Sequence, residues 1–99
     1  TIYVNLSKNV TQVKILKYLK KYYKNSTFIK VMNNVHISTN DVIHTNLCHI
    51  SICKSKYKDK LIILSAIDNL IKGGAGQAIQ NMNIRFGFKK NEGLKLWNI

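Results

Sequence analysis

Proline is absent from the 99 residues, and arginine occurs once. About five prolines would be usual in a chain of this length. Acidic residues are scarce too, because four Asp and Glu stand against sixteen Lys and Arg, which gives a net charge of +12. Lys, Asn and Ile, whose codons are rich in A and T, number 15, 12 and 14. Codon composition therefore accounts for the charge without selection for binding polyanions.

Long apolar runs and abundant cysteines are also missing. No run approaches the ~18 apolar residues of a membrane span, and no charged and apolar leader marks secretion. We therefore expect neither a membrane-spanning nor a secreted protein. The two cysteines cannot build a disulfide-rich scaffold. The length suits one domain, and a hydrophobic content of 45% argues against disorder.

Hydrophobic periodicity in the first half predicts a strand, a helix and a second strand. Thr1–Leu6 alternates with the period of a strand. Gln12–Lys24 has the apolar stripe of a helix, and Thr11 before it is a suitable N-cap. A short strand follows over Phe28–Met32, and Asn33–Thr45 is polar enough to form a loop.

The second half predicts a hairpin, a long helix and a last strand. The strands are Asn46–Lys54 and Lys60–Ile67, joined by a charged turn. Asp68 and Asn69 are capping residues for a helix that runs to Phe86 and stops at Gly87. Leu94–Asn98 is the last strand. This order predicts an α+β fold with a mixed or antiparallel sheet and two main helices.

The glycines at the start of the second helix need a physical reason. Gly73, Gly74 and Gly76 each cost roughly 1 kcal/mol in a helix interior relative to Ala. A missing Cβ lets the backbone approach a ligand or another backbone closely, and a helix N-terminus suits an anion. The order of residues is not that of a phosphate-binding loop, because Lys72 precedes the glycines. Tight packing at a flexible helix start remains the alternative.

The same helix carries almost no positive charge. Between Lys72 and Phe86 the only basic residue is Arg85, although the chain is otherwise rich in Lys. One side is rich in amides (Gln77, Gln80, Asn81 and Asn83), and the other is apolar (Ala75, Ala78, Ile79, Met82 and Phe86). We infer that most of this helix meets protein or ligand, which implies a partner domain.

The glycine-rich segment resembles a known enzyme family. Ile67–Asn83 reads I-D-N-L-I-K-G-G-A-G-Q-A-I-Q-N-M-N, followed by Phe86-Gly87 and Gly93-Leu94. It is similar to the C-terminal signature of the N-acetyl-gamma-glutamyl-phosphate reductases, which have a semialdehyde dehydrogenase-type dimerisation domain. Thr1–Val4, Phe28–Met32 and the Val42–Cys48 pattern resemble upstream family segments in the same order. The family commonly has Gly at His44, Ala at Gly74, and Pro at Thr27 and Ile37.

The resemblance implies an NADPH-dependent, cytoplasmic reductase of arginine biosynthesis. The family converts N-acetyl-glutamyl 5-phosphate to the 5-semialdehyde, using a catalytic Cys and a His. It joins a Rossmann cofactor domain to an α+β domain for substrate binding and dimerisation. The chain would be the C-terminal part of such a dimeric or tetrameric enzyme. The dinucleotide, nucleophile and catalytic His motifs precede the point where Thr1 falls, so we expect no activity from the chain alone.

The resemblance also implies roles for particular residues. Residues 69–87 would form the terminal helix that packs on the missing cofactor domain. Asn69, Gly73, Gly76 and Gln77 would lie at its cofactor-facing start, with Asn69 fixing the cap. Asn46 is a weaker candidate, as an active-site neighbour, and no catalytic residue lies in this chain.

Three alternatives compete with this interpretation. The Lys-rich face of Gln12–Lys24, with its tyrosines, would suit a small nucleic-acid-binding module, although lysines at these spacings also form solvated faces. A purely structural, dimerising domain is the second. The third is a site built on the cysteines and histidines.

Neither a disulfide nor a metal site is expected from these residues. Cys48 and Cys53 would point to opposite faces of one strand, which argues against a disulfide. The spacing between these cysteines and His36, His44 and His49 is not that of a zinc site, so we expect no bound metal.

Overall fold

The computed structural model describes residues 1–97 and contains a four-stranded sheet and two α-helices. The elements are β1 (Ile2–Asn5), α1 (Gln12–Tyr22), β2 (Ile29–Asn33), β3 (Cys48–Lys54), β4 (Lys60–Ile67) and α2 (Gly76–Phe86). A 3-10 turn at Thr39–Asp41 and a π-helical turn at Ile71–Ala75 complete them. The predicted α+β class with a mixed sheet and two helices is confirmed.

The strand order in the sheet is β1-β4-β3-β2. β4 is antiparallel to both of its neighbours, as the predicted hairpin with β3 requires, and β2 is parallel to β3. Two connections join parallel strands: α1 leads from β1 to β2, and the following loop leads from β2 back to β3. Connections between parallel strands are right-handed. These two connections run in opposite directions across the sheet, and they therefore cover opposite faces.

The loop between β2 and β3 forms the core on one face of the sheet. Its side chains Ile37 and Val42 are buried together with Ala66 of β4. Ser51 of β3 fastens the loop, because its Oγ accepts from the Val35 amide at 3.0 Å and donates to the Val35 carbonyl at 2.6 Å. The sequence correctly predicted an irregular segment here but gave it no part in the core.

On the opposite face, Ile52 and Leu61 are fully buried. α1 lies against β2 and β3 on this side, and its half-buried residues are Gln12, Ile15, Leu16 and Leu19. Thr11 caps the helix as predicted, since its Oγ1 accepts from the Lys14 amide at 3.3 Å. The helix ends at Tyr22, two residues before the predicted end at Lys24.

The predicted single helix from Asn69 to Phe86 is wrong in its first turns. Ile71–Ala75 forms a π-helical turn, in which the Gly73 amide donates to the Asp68 carbonyl and the Ala75 amide to the Leu70 carbonyl, both at 3.2 Å. The backbone leaves helical geometry at Gly74 (φ −139°, ψ −114°), so α2 begins only at Gly76. The helix ends at Gly87 as predicted, with φ 72°.

The predicted last strand is not present in the part of the chain that the structure describes. Leu94–Trp97 is irregular, and Asn98 lies outside the described residues. Within residues 1–97, no helix has the length and apolar character needed to cross a membrane.

Candidate functional site

The end of β4 is tied to two other segments by the side chain of Asp68. Its Oδ2 accepts from the His44 amide at 2.8 Å, and its Oδ1 accepts from the amides of Leu70 and Ile71 at 2.8 and 3.2 Å. These bonds, led by that from His44, hold the pKa of Asp68 below its usual value. Of the two predicted capping residues, it is Asp68 whose carboxylate accepts from these amides and caps the turn.

His44 reaches Asp68 from a left-handed backbone conformation. Its φ is 62°, in the region that favours glycine. The residue thus holds a backbone conformation that glycine adopts without strain.

Gly76 is buried against the loop that precedes β3. A Cβ at this position would overlap Oδ1 of Asn46 and would lie 2.6 Å from the Ile71 carbonyl oxygen. The close approach that explains this glycine is therefore made inside the chain. At Gly73, which is exposed, a Cβ would meet the side chain of Asn69.

A chain of polar side chains lies beneath α2. The Asn46 side chain, which is fully buried, donates from Nδ2 to Gln80 Oε1 at 2.9 Å. Lys72 Nζ donates to the same oxygen at 2.8 Å. This network joins the start of β3, the π-helical turn and α2, and we call it the Asn46–Gln80–Lys72 network.

The network fixes the orientation of both amides. Because a Lys ammonium can only donate, the atom of Gln80 that faces it must be the acceptor Oε1. Asn46 must then present Nδ2 to Gln80, which turns its Oδ1 towards Gly76. This oxygen is buried and has no hydrogen-bond partner among residues 1–97. Asn46 therefore packs under α2, and its place beside an active site stays a prediction.

Lys72 is a half-buried cation without an acidic partner. Its Nζ lies 5.1 Å from the centre of the Phe28 ring, and no ion pair is present for it within residues 1–97. Burial lowers the pKa of Lys72, and the nearby Cys48 opposes that shift.

α2 packs on its own domain with its amide side and exposes its apolar side. Gly76 and Asn83 are buried, and Asn83 Nδ2 donates to the carbonyls of Lys90 and Glu92 at 3.2 and 3.0 Å. The exposed fractions of Met82 and Phe86 are 46% and 67%. Ala78, one turn before Met82, is exposed as well. We call Ala78, Met82 and Phe86 the apolar stripe of α2.

The structure divides the predicted cofactor-binding residues into two groups. Asn69 and Gly73 lie together at the surface of the π-helical turn. Gly76 is buried beside Asn46, and Gln77 is half-buried and donates from Nε2 to Asn81 at 3.2 Å. Contact of these four residues with a cofactor stays a prediction. The sequence analysis missed Lys72 as a site residue; its only signal was its place as the last lysine before the helix.

The cysteine and histidine side chains do not assemble. Cys48 and Cys53 are free thiols five positions apart on β3, so they face opposite sides of the sheet. In residues 1–97, no three His, Cys, Asp or Glu side chains are placed to share a metal ion.

Comparison with known proteins gives a family match and close relatives. The family model described as semialdehyde dehydrogenase, dimerisation domain, matches residues 1–69. A protein of Clostridium botulinum (strain Eklund 17B / Type B), named N-acetyl-gamma-glutamyl-phosphate reductase, is 50% identical over 97 residues, which cover 97% of this chain and 28% of that protein. A protein of the same name from Vesicomyosocius okutanii is 48% identical over 96 residues, which cover 96% of this chain and 27% of that protein. The chain thus spans less than a third of the length of these relatives. The matches give no support to the nucleic-acid-binding alternative.

Proposed function

The chain belongs to the semialdehyde dehydrogenase dimerisation-domain family, and on that premise we propose that it is the C-terminal substrate and dimerisation domain of an N-acetyl-gamma-glutamyl-phosphate reductase. The whole enzyme would use NADPH to convert N-acetyl-glutamyl 5-phosphate to the 5-semialdehyde in the cytoplasm, as a step of arginine biosynthesis. The observation that carries the proposal is the extent of the match. The relatives align with 97% of the chain, so the likeness continues past residue 69 into the glycine-rich segment.

The apolar stripe of α2 supports a two-domain enzyme. Met82 and Phe86 are large apolar side chains exposed on a helix whose other side is already packed. A contiguous exposed apolar surface marks an interaction site. We expect the cofactor domain to cover this stripe, with residues 69–87 forming the contact between the two domains.

The residues near the π-helical turn fit a nicotinamide cofactor in part. Asn69 offers an exposed side-chain amide next to the exposed Gly73, so this surface would suit the carboxamide of a nicotinamide. Gln77 would assist from the next turn. The space beside Gly76 is already filled by Asn46, so this glycine would shape the site from beneath. The bound cofactor would supply the hydride.

The sheet offers a surface for oligomerisation. Ile2, Ile50, Ile63 and Ser65 lie on the same face as Ile52, by the strand register, and none of the four is fully buried. α1 contacts β2 and β3 on that face, and Ile2, Ile63 and Ser65 of β1 and β4 stay partly or fully exposed, although Leu61 is buried. We expect this part of the face to contact a second subunit in a dimer or tetramer.

A chimeric enzyme tests the proposal. The Clostridium botulinum reductase would receive residues 1–99 in place of the segment that they match, and NADPH-linked turnover of the acyl phosphate and semialdehyde would be measured. We expect the chimera to be active and the 99-residue chain alone to be inactive. A chimera that folds and assembles but has no activity would refute the proposal, as would turnover by the chain alone.

A further inference from the structure

A small cavity lies between the segment that leads into β2 and the inner side of α2. Its volume is ≈ 110 Å³, and its polar lining is Ser26, Thr27, Lys72, Gln80 and Lys90. Because a water molecule occupies about 30 Å³ in the liquid, the space equals roughly four waters. The cavity is open to solvent on one side and has room for one tetrahedral oxyanion.

The charge of the lining is of one sign. Two lysines contribute, and no aspartate or glutamate is among the lining residues. Lys72 carries the argument, because its ammonium is half-buried against Phe28 while most lysines of the chain are exposed. An ammonium has three N–H donors. One is given to Gln80 Oε1, and the contacts of residues 1–97 include no further acceptor for Lys72.

The neighbouring polar groups can also donate. Gln80 Oε1 already accepts two hydrogen bonds, one from Asn46 and one from Lys72. Its Nε2 has no acceptor among the hydrogen bonds of residues 1–97, so it remains a donor. The hydroxyls of Ser26 and Thr27 can donate as well. A half-buried cation surrounded by donors selects an anion with several acceptor oxygens, since charge-assisted hydrogen bonds are the stronger ones.

We propose that this cavity binds a small oxyanion of the phosphate class, with Lys72 supplying the charge and Gln80, Ser26 and Thr27 supplying hydrogen bonds. The site lies beneath α2, whereas Asn69 and Gly73 lie at the surface of the π-helical turn. The proposal does not rest on the reductase function, because it concerns binding to residues of this chain alone.

Phosphate titration followed by NMR tests the site. Inorganic phosphate is added to the ¹⁵N-labelled, folded 99-residue chain, and sodium chloride is reduced in step to hold the ionic strength constant. We expect saturable shifts at the backbone amides of Thr27 and Lys72 and at the Gln80 side-chain amide. Lys72→Met should weaken binding by about tenfold or more, which corresponds to about 1.4 kcal/mol. Lys72→Arg should retain it, because a guanidinium also binds phosphate.

Two further variants make the outcome decisive. Lys17→Met removes an exposed lysine of α1 that does not line the cavity, and it should leave the affinity unchanged. Thr27→Val, which removes only a hydroxyl, should weaken binding to a smaller extent than Lys72→Met. Shifts that do not saturate, that spread over all lysines, or that persist in Lys72→Met would overturn the proposal and indicate general attraction to a chain of charge +12.

Discussion

Replacing Gly76 by alanine should destabilise the domain even though alanine favours helices. The added Cβ would overlap Asn46 Oδ1 and would lie 2.6 Å from the Ile71 carbonyl oxygen and 2.8 Å from Ile71 Cγ2. Ile71 is held on the backbone by Asp68, so it cannot yield without loosening the turn. Overpacking of this kind costs about 1–3 kcal/mol, and the gain in helix propensity returns at most about 1 kcal/mol.

We therefore expect Gly76→Ala to lower the free energy of unfolding by about 1–2 kcal/mol, equivalent to a fall of about 5–15 °C in Tm for a domain of this size. Urea denaturation followed by far-ultraviolet circular dichroism measures the change. Gly73→Ala is the matched control, because the only close side chain there belongs to the exposed Asn69, which can rotate away. Its effect should stay within about 0.5 kcal/mol.

A double variant identifies the cause. Removing the Asn46 side chain takes away one of the three close contacts, so Gly76→Ala should cost about 1 kcal/mol less in an Asn46→Ala background. A Gly76→Ala protein as stable as the parent chain would refute the packing argument. Equal losses at Gly73 and Gly76 would show instead that any side chain in this segment is harmful.

Three more predictions concern titration and the outer surfaces. Backbone hydrogen bonds, led by that from His44, lower the pKa of Asp68, so its carboxylate should stabilise the fold above about pH 4. This stabilisation should be lost as the pH falls through the folded-state pKa. In unfolding measurements from neutral to acid pH, Asp68→Asn should reduce the fall in stability at acid pH. Burial, assisted by the charge of Lys30, lowers the pKa of His49 below its usual value near 6.5. The unfolded state therefore binds the proton first, and the stability of the fold should decline as the pH drops below about 6.5. A pH titration followed by proton NMR should show the low pKa of His49, Lys30→Gln should raise that pKa part of the way back, and an unshifted pKa would contradict the prediction. Met82→Lys and Phe86→Lys should change the free energy of unfolding of the 99-residue chain by no more than about 0.5 kcal/mol. Both substitutions should nevertheless reduce the activity of the chimeric reductase. Undiminished activity would show that the apolar stripe is not covered by the cofactor domain.

The strands and α1 were predictable because local pattern and tertiary packing agree there. Thr1–Leu6 alternates, Gln12–Lys24 repeats with a helical period, and the apolar run in Lys60–Ile67 belongs to a strand that is paired on both edges. Leu94–Asn98 has the same local pattern, but the pattern alone could not indicate whether a neighbouring strand would accept hydrogen bonds from it. The place of Ile37 and Val42 in the core was hidden because the apolar residues of the loop, Val35, Ile37, Val42 and Ile43, do not continue the period of a helix or a strand.

The site was predictable in composition but not in arrangement. The three glycines marked a place of close approach, yet the group that approaches Gly76 is Asn46, thirty positions earlier in the chain. Most of the second helix was expected to meet protein or ligand outside the chain. Part of its amide-rich side packs inward instead, because the buried Asn83 donates to the carbonyls of Lys90 and Glu92. Long-range hydrogen bonding of this kind leaves no spacing rule in the sequence.

The strand order also dictates the sequence of events during synthesis on the ribosome. Ile2 pairs with Ile63, so β1 is made first but its partner is among the later elements to emerge. β3 and β4 are local partners and can pair as soon as both have left the exit tunnel, since closing a short loop costs less entropy than closing a long one. Until then the β1 backbone has its hydrogen-bonding groups open to other nascent chains. Slow translation between Lys54 and Lys60 would lengthen this exposed interval, and the yield of soluble protein should fall with it.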